Sequence, residues 1–416
     1  MQHKNRYWLV ILASVILVRT CIGLIWASAG PLLPLMMGEF NLGRGTVGWF
    51  ASIAPITIAA VSVPLGILGS RLSLKKTFAV GAILQAGGIL APVCNTFVPI
   101  LLTRMAFAVG TAITVPMATA IAAEWVTSRR LPIVNGITMS FINLGNAVAF
   151  LLTVPIATAI SWKAPMAVYG AFALTCAVGW IILGREKPKV YESTTSLDPP
   201  RPDLGFKKVL RQRSTILLAL SVAGSWGLWN SLTSWLPSYY NEVFKMPLVE
   251  ASSILAIITV GGTIACIAGG ILPMRIGRRR PMLILSGSFM GLAALSAVFF
   301  NNPAIIFLSV GLFGLFGNLQ NPSLFTIPME LPNMSLRSGI MVISVMQVGG
   351  NMGNFLSPLA VGYLTDLTGS YLPGFIIFAL LSSTSLLAGL LLPETGPKAK
   401  TALQSTAHPL PLKQRL

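Results

Sequence analysis

Long apolar runs, separated by short polar stretches, dominate the pattern of this sequence. A helix needs about 20 apolar residues to cross the hydrocarbon core of a membrane, because each residue rises about 1.5 Å. Twelve runs of this kind can be marked, at 8–35, 46–69, 77–93, 98–123, 133–160, 164–183, 215–237, 248–272, 282–300, 304–328, 339–364 and 372–392. The pattern predicts an all-α membrane protein with 12 transmembrane helices.

One polar stretch, at 184–214, is much longer than the others and contains Pro199, Pro200 and Pro202. It divides the apolar runs into two groups of six. We therefore predict an N-terminal six-helix bundle at 1–183, a cytoplasmic central loop at 184–214, a C-terminal six-helix bundle at 215–392 and a cytoplasmic tail at 393–416.

Composition and charge agree with this prediction. Hydrophobic residues make up 54% of the chain and charged residues only 10%, whereas a soluble domain has about 25% charged residues. The formal net charge of +18 would indicate a nucleic-acid partner in a soluble protein. Of the 29 Lys and Arg residues, however, 24 lie in alternate loops on one side of the predicted membrane. Because cytoplasmic loops carry excess positive charge, we predict cytoplasmic N- and C-termini and no nucleic-acid partner.

Enzyme chemistry has little support in the sequence. His3 and His408 lie in the two tails, so neither a Ser-His-Asp triad nor a zinc-hydrolase site can be assembled around them. Four cysteines stand singly in apolar runs, as is typical of small core residues: Cys21, Cys94, Cys176 and Cys266. We expect no enzyme activity, no metal site and no cofactor.

A duplication is visible within the chain. Identical residues recur in the same order at offsets of 203 to 206: Trp26 with Trp229, Pro34 with Pro237, Glu39 with Glu242, Arg71 with Arg275, Pro116 with Pro322, Glu124 with Glu330, and Pro155 with Pro358. Chance in apolar sequence would supply one or two such pairs. A longer series at nearly constant offset indicates two parallel six-helix halves.

The basic loops after the second and eighth runs carry a resemblance to a known family. The second of these loops reads GILPMRIGRRRPM from Gly270, and GILGSRLSLKK from Gly66 is its counterpart. GYLTDLTGSY, at 362–371, and PET, at 393–395, are weaker signatures. Over essentially the whole chain, these features resemble the major facilitator superfamily of secondary transporters. The resemblance implies two bundles that rock around a mid-membrane site, which is the alternating-access mechanism.

The resemblance also implies gating and conformational roles. The family's basic loops contain an acidic residue where this chain has Ser70 and Met274, which argues against the family's usual Asp-mediated latch. The candidates are residues of the basic loops, a family-like arginine at the start of the fourth run and two acids at predicted inner helix ends: Arg71, Arg275, Gly277, Arg278, Arg104, Glu124 and Glu330. An alternative for Arg104 is that it snorkels to the outer face.

Arg19 is the residue that most strongly indicates a substrate-binding site. It lies 11 residues after Trp8, which places it about 16 Å along the helix and near the bilayer midplane. A charge there costs about 2.5 to 3.5 kcal/mol on insertion scales and marks a functional site by default. All 11 acids lie in loops or at helix ends. We predict that Arg19 faces a central cavity and grips an anion with its planar guanidinium; the alternative is a structural arginine paired with a neighbouring helix.

Aromatic and amide residues of the same runs are candidates for the wall of this cavity. Trp26 lies seven residues after Arg19, on the same helical face. The full set of candidate substrate-binding residues, beside Arg19, is Trp26, Asn143, Asn146, Trp226, Trp229, Asn230, Asn318, Asn321, Gln347 and Asn351. Their alternative role is structural, because aromatic residues pack in bundles and buried amides form hydrogen bonds between helices.

An arginine without a fixed counter-ion suggests a coupling mechanism. Closing a dry cavity around an unpaired cation is costly, and a bound anion removes that cost. We therefore expect either exchange of one anion for another or symport in which the substrate brings its own proton. A complete pair of halves makes a monomer in the lipid bilayer sufficient.

Two short strings, GPLLP at 30–34 and AEWVTSRR at 123–130, resemble the small-anion branches of the superfamily, which include cyanate-permease-like, nitrate and monocarboxylate carriers. The resemblance implies a transporter for a small organic or inorganic anion in a bacterial-type inner membrane. One alternative is an exporter of amphipathic drug-like compounds. Another is a transporter-like sensor, although sensing usually needs an output domain.

Overall fold

All twelve predicted runs are helical in the computed structural model of the chain, which describes residues 7–69, 73–126, 131–185, 206–331 and 336–396. The helices are α1 (Tyr7–Ala27), α2 (Ala29–Phe40), α3 (Arg44–Gly69), α4 (Leu74–Gln85), α5 (Phe97–Trp125), α6 (Leu131–Ala159), α7 (Ala164–Leu183), α8 (Phe206–Arg211), α9 (Arg213–Glu242), α10 (Leu248–Ile254), α11 (Ala256–Ile276), α12 (Arg280–Phe299), α13 (Pro303–Leu319), α14 (Asn321–Glu330), α15 (Leu336–Thr368), α16 (Leu372–Ser382) and α17 (Thr384–Leu391). A 3₁₀ helix, Ala86–Val93, continues α4.

Several predicted runs are two helices in succession. The first run forms α1 and α2, which meet at Ser28, and the tenth forms α13 and α14, which meet at Gln320. Pro31 and Pro322 follow these junctions in the first turn of the next helix. A proline there has no N–H to give to the preceding turn, so the chain can change direction at the junction.

Eleven helices among the described residues are long and apolar enough to cross a membrane. The remaining predicted run, 339–364, lies in α15, which has 33 residues. This helix is long enough to cross a membrane, but amides such as Gln347, Asn351 and Asn354 make it less apolar. The same amides made this helix a source of candidate site residues.

Contacts between helix termini define two ends of the bundle. At one end, Arg44 at the start of α3 contacts Glu242 at the end of α9; we call this the Arg44 end. At the other, Arg279 just before α12 pairs with Glu330 at the end of α14; this is the Arg279 end. The charge of the loops predicts that the Arg279 end is cytoplasmic. Arg71, a predicted gating residue, lies outside the described residues.

Glycines bring α1 and α6 into backbone contact at the centre of the first half. A Cβ atom at Gly23 would overlap the carbonyl oxygen of Ile142, and one at Gly145 would overlap that of Thr20. Neither position therefore accepts a side chain without moving a helix. This contact fixes the height of Arg19 on α1 relative to Asn146 on α6.

Candidate functional site

Arg19 lies near the middle of α1 and is only 1% exposed. Its Nη1 donates to Thr138 Oγ1 on α6 at 3.0 Å. Its Nε and Nη2 are buried and have no hydrogen-bond partner in the part of the chain that the structure describes. None of the ion pairs between described residues includes Arg19. Since a guanidinium has five N–H donors, this side chain retains donors for a further acceptor.

A small cavity, with a volume of about 20 Å³, lies between the two halves of the chain. This volume holds about one water molecule, so a larger ligand fits only when the walls move apart. The cavity is lined by Trp26, Asn146 and Phe150 of the first half and by Trp229, Asn230 and Thr233 of the second. The structure thus brings together four of the predicted binding residues: Trp26, Asn146, Trp229 and Asn230.

Arg19 is not among the residues that line this cavity. It lies seven residues before Trp26, a separation of about 10 Å along the helix. Helical side chains lean toward the start of their helix, so both side chains lean the same way and their separation stays close to this spacing. Thr138 lies eight residues before Asn146 on α6, which gives a similar spacing. The predicted anion-binding group and the cavity therefore occupy two levels of the same α1–α6 pair.

The other predicted amides lie outside the cavity lining and form bonds along their own helices or between successive ones. Asn318 Nδ2 donates to the carbonyl of Gly314 at 3.1 Å, and Asn321 Nδ2 donates to Asn318 Oδ1 at 3.2 Å. Asn351 Nδ2 donates to the carbonyl of Gln347 at 2.9 Å. These bonds use only part of the capacity of the amides, because the buried side-chain oxygens of Asn321 and Gln347 lack a partner among the described residues.

Two further candidates for the cavity wall, Asn143 and Trp226, are not part of its lining. Asn143 is half-buried on α6, one turn from Asn146. Trp226 packs against Gly350 of α15, where a Cβ atom would overlap the indole ring. Asn230, which does line the cavity, uses its Nδ2 to donate to the carbonyl of Asn354 at 2.7 Å. That bond ties α9 to α15 within the second half.

Arg104 in α5 is buried, with 3% of its surface exposed. Its Nη1 donates to the carbonyl of Ile25 in α1. Its guanidinium carbon lies 4.6 Å from the centre of the Phe50 ring and 5.5 Å from that of Phe107. The side chain is therefore held by cation–π contacts inside the first half, and the alternative that it snorkels to the surface does not hold.

An ion-pair network closes the Arg44 end across the two halves. Arg44 Nη2 lies 2.6 Å from Glu242 Oε2 and Nη1 lies 3.6 Å from Asp366 Oδ1. Arg44 Nε also donates to the hydroxyl of Tyr371 at 2.9 Å, and this hydroxyl donates to Glu242 Oε1 at 3.0 Å. Burial, reinforced by the charge of Glu242, raises the pKa of Tyr371. The phenol is therefore protonated and able to donate.

Backbone contact reinforces this closure. A Cβ atom at Gly30 in α2 would overlap the carbonyl oxygen of Thr233 in α9 and lie 3.1 Å from Ser234 Cα. Gly30 and Thr233 both line the cavity, so this contact forms its wall at the side of the Arg44 end. Arg44 was not among the residues predicted from the sequence. It could have been noticed as one of only three cations on the side of the predicted membrane that carries little positive charge. Its partners, Glu242 and Asp366, lie near the ends of two helices on that side.

The Arg279 end holds a second ion pair, within the second half. Arg279 Nε and Nη2 lie 2.5 and 2.9 Å from the two carboxylate oxygens of Glu330. The backbone N–H of Arg279 donates to Glu394 of the PET string at 2.7 Å. Glu330, a predicted gating residue, is thus paired with Arg279. Arg279 lies in the basic loop before α12 but was not among the predicted gating residues.

The other candidates at this end differ in exposure. Arg275 and Arg278 are exposed, and Glu124 is half-buried near the end of α5. Gly277 ends α11 with φ of 74°, a left-handed conformation that glycine adopts at little cost. This turn places Arg279 beside Glu330.

The sequence matches a model of the Major Facilitator Superfamily over residues 15–341 and 270–416. It is 24% identical to the probable sulfoacetate transporter SauU of Cupriavidus necator, over 86% of this chain and 87% of that protein. It is 23% identical to the probable nitrate transporter NarT of Staphylococcus haemolyticus, over 85% of this chain and 89% of that protein. It is also 22% identical to the nitrite extrusion protein of Bacillus subtilis, over 85% of this chain and 86% of that protein.

Solved structures resemble the fold described here. A bacterial homolog of the human lysosomal transporter Spinster, in an inward-facing and unoccupied conformation, aligns with a TM-score of 0.78 at 15% identity, covering 93% of this chain and 98% of that chain. A point mutant of the nucleoside transporter NupG aligns with a TM-score of 0.73 at 16% identity, covering 91% of this chain and 99% of that chain. These likenesses confirm the predicted all-α fold.

Proposed function

Because the chain belongs to the Major Facilitator Superfamily, we propose that this multi-pass membrane protein is a secondary active transporter that moves a small organic or inorganic anion by alternating access, with Arg19 binding the anion. The observation that carries the proposal is the state of Arg19. It is a buried guanidinium in mid-helix with one side-chain partner, Thr138, and two nitrogens without a partner among the described residues. The names of the sulfoacetate, nitrate and nitrite relatives support an anionic substrate.

The energetics of Arg19 favour an anion over a neutral or cationic substrate. A charge removed from water needs a counter-charge or several hydrogen bonds to offset its lost hydration. Thr138 supplies one neutral acceptor to Arg19. The carboxylates of Glu242 and Glu330 are paired with other arginines, at the two ends of the bundle. A carboxylate, sulfonate or nitrate supplies both the charge and acceptor oxygens in a planar or forked arrangement that a guanidinium matches.

Alternating access is supported by where the two halves touch. The Arg44 network and the Gly30–Thr233 contact join the first half to the second at one end. The Arg279–Glu330 pair lies within the second half and does not tie the halves together. We propose that this conformation is closed at the Arg44 end, and that substrate passes this end only after the ion pairs and the backbone contact separate.

The counter-ion argument also bears on coupling. In an empty carrier, Arg19 has to pass through the closed state as an unpaired buried cation, which slows reorientation. A bound anion removes that barrier, so exchange is expected to be faster than net efflux. Net transport then requires a protonated substrate or a co-transported proton that arrives with it. We place the protein in a bacterial inner membrane, with the Arg279 end on the cytoplasmic side.

Counterflow in proteoliposomes tests the proposal. Vesicles are loaded with one unlabelled anion from a panel of nitrate, nitrite, cyanate, lactate, oxalate, sulfoacetate and aromatic carboxylates, and uptake of the labelled anion is measured. Wild type is expected to exchange one class of these anions. Arg19→Gln keeps a polar side chain with two N–H donors but removes the charge, and it is expected to abolish exchange. Lys208→Gln, on the exposed face of α8, is the control for loss of one cation.

Thr138→Val provides a second, milder variant that keeps the cation. Removal of its hydroxyl leaves Arg19 more mobile, so the substrate concentration for half-maximal exchange is expected to rise while the maximal rate changes less. If Arg19→Gln is folded in detergent and transports the native substrate at an unchanged rate, Arg19 does not bind the anion. Uptake of neutral or cationic compounds by wild type, with no anion exchange, would instead support an exporter of amphipathic compounds.

A further inference from the structure

The two halves present matching aromatic pairs to the central cavity. Trp26 of α1 contacts Phe107 of α5, with ring centres 6.5 Å apart. Trp229 of α9 stacks on Phe313 of α13, with ring centres 5.5 Å apart and an angle of 23° between the planes. The two tryptophans are 203 residues apart and the two phenylalanines 206 apart, the same offsets as in the duplication. The cavity therefore has one tryptophan wall from each half, each backed by a phenylalanine.

The charge at the site is not duplicated. The offset that relates the two tryptophans relates Arg19 to Val222, which is buried in an apolar cluster of the second half. Two turns before its tryptophan, the first half has a cation and the second half has an apolar residue. A ligand that uses both Arg19 and the tryptophan walls must therefore lie with its charged group in the first half and its remaining surface toward the cavity.

The spacing between the two levels excludes the smallest anions from contacting both. Arg19 and Trp26 are seven residues apart, about 10 Å along the helix, and both side chains lean toward the start of that helix. Nitrate or nitrite on Arg19 would leave the tryptophan walls untouched. An anion with a body several atoms long reaches from one level to the other.

The surface of the cavity indicates what that body is. Tryptophan rings favour flat apolar partners through stacking and dispersion, and Phe150 adds a third apolar ring to the lining. Polar residues also line the cavity, and Asn146 Oδ1 is buried without a partner among the described residues. Such a lining is unfavourable for a strongly hydrated inorganic ion and favourable for a planar hydrocarbon group.

We infer that the preferred substrate is an organic anion with a flat apolar body, whose carboxylate or sulfonate binds Arg19 while the body lies between Trp26 and Trp229. The inference rests on the proposed anion transport and narrows its substrate class. Arylalkanoates, which join a carboxylate to a ring through a short chain, fit both levels. Inorganic oxyanions engage Arg19 alone and bind more weakly.

Counterflow with monoanions of increasing body size tests the inference. The series is nitrate, acetate, benzoate, 3-phenylpropionate and 4-phenylbutyrate, measured for wild type, Trp26→Ala and Trp229→Ala. Trp162→Ala is the matched control, since Trp162 also packs in an aromatic pair, with Phe40 at 5.6 Å, but does not line the cavity. In each cavity variant, half-saturation for 3-phenylpropionate is expected to rise about 2- to 10-fold, the range for loss of one aromatic contact.

Variants that keep an aromatic ring control for the possibility that the alanine variants misfold. Trp26→Phe and Trp229→Phe retain a flat surface and are expected to stay within about threefold of wild type, a difference worth less than one aromatic contact. The inference is overturned if nitrate is exchanged as well as 3-phenylpropionate and the alanine variants behave like Trp162→Ala. In that case Arg19→Gln still abolishes exchange and anion transport stands. Exchange that does not depend on Arg19 removes the proposed function itself, and this inference with it.

Discussion

Substituting Gly30 by alanine should open the Arg44 end. Gly30 belongs to the first half and Thr233 to the second, and a Cβ atom at Gly30 would overlap the Thr233 carbonyl oxygen and lie 3.1 Å from both Cα and O of Ser234. All the neighbours concerned are backbone atoms, which cannot rotate away as a side chain does. The two helices can accept the methyl group only by separating.

The size of the effect follows from the cost of overpacking. Inserting a methyl group into a close-packed contact typically costs about 1 to 3 kcal/mol. In the proposed mechanism, the contact exists only when the Arg44 end is closed, so the cost falls on that conformation alone. A shift of this size changes the ratio of open to closed molecules by about 5- to 150-fold. Gly38 lies on the same helix with no atom within 4 Å of its would-be Cβ atom, so Gly38→Ala should change nothing.

Thiol labelling measures this population. A cysteine at Ser234, which lines the cavity and is 3% exposed, is introduced into a protein whose four native cysteines are replaced. A membrane-impermeant maleimide is applied from the side of the Arg44 end, and the labelling rate is expected to rise at least about fivefold in Gly30→Ala. If Gly30→Ala and Gly38→Ala label at the same rate, the α2–α9 contact is not one that opens during transport.

Two further predictions concern the ion pairs. Arg44→Glu places three carboxylates together at the Arg44 end and should raise the labelling rate of the same cysteine. Exchanging the two partners, Arg44→Glu with Glu242→Arg, should restore closure only in part, because Asp366 still repels the new carboxylate. A double variant no closer to wild type than Arg44→Glu alone would contradict this role. Arg279→Lys loses the two-pronged contact with its carboxylate and should lower the unfolding temperature of the purified protein by a few degrees. The exposed Arg278, changed to Lys, serves as the comparison, and equal shifts in the two variants would count against the pair.

The helices were predictable because short polar stretches separate the long apolar runs. Each run of about 20 apolar residues had to be helical, since a backbone in lipid must satisfy its own hydrogen bonds. The junctions within runs were harder to locate. Pro31 marks the break after α1, but Pro34, Pro55 and Pro116 lie inside continuous helices, so proline alone does not determine where a membrane helix divides.

Candidate site residues could be predicted where their residue type is rare in membrane helices. They could not be predicted where their role depends on a contact between distant helix ends. Arg19 could be proposed as a site residue because a charge in mid-membrane is unusual. Trp26 and Trp229 recur across the duplication, and Asn146 and Asn230 stand out as amides in apolar helices. Their division into two levels depends on Gly23 and Gly145, which set the offset of α1 against α6. The Arg44 network joins α3, α9 and α15, and no local pattern in the sequence relates these three helix ends.

The distribution of counter-ions links the site to the proposed mechanism. Carboxylates meet arginines at both ends of the bundle, through Glu242 at one and Glu330 at the other, whereas Arg19 at the centre has no carboxylate partner among the described residues. The Arg44–Glu242 pair, which joins the halves, is partly solvated, so it can separate and re-form at modest cost. A carboxylate fixed beside Arg19 would instead compete with every incoming anion. In the proposed mechanism, that position is left to the substrate, so that binding and charge neutralisation are the same event and the loaded carrier closes more readily than the empty one.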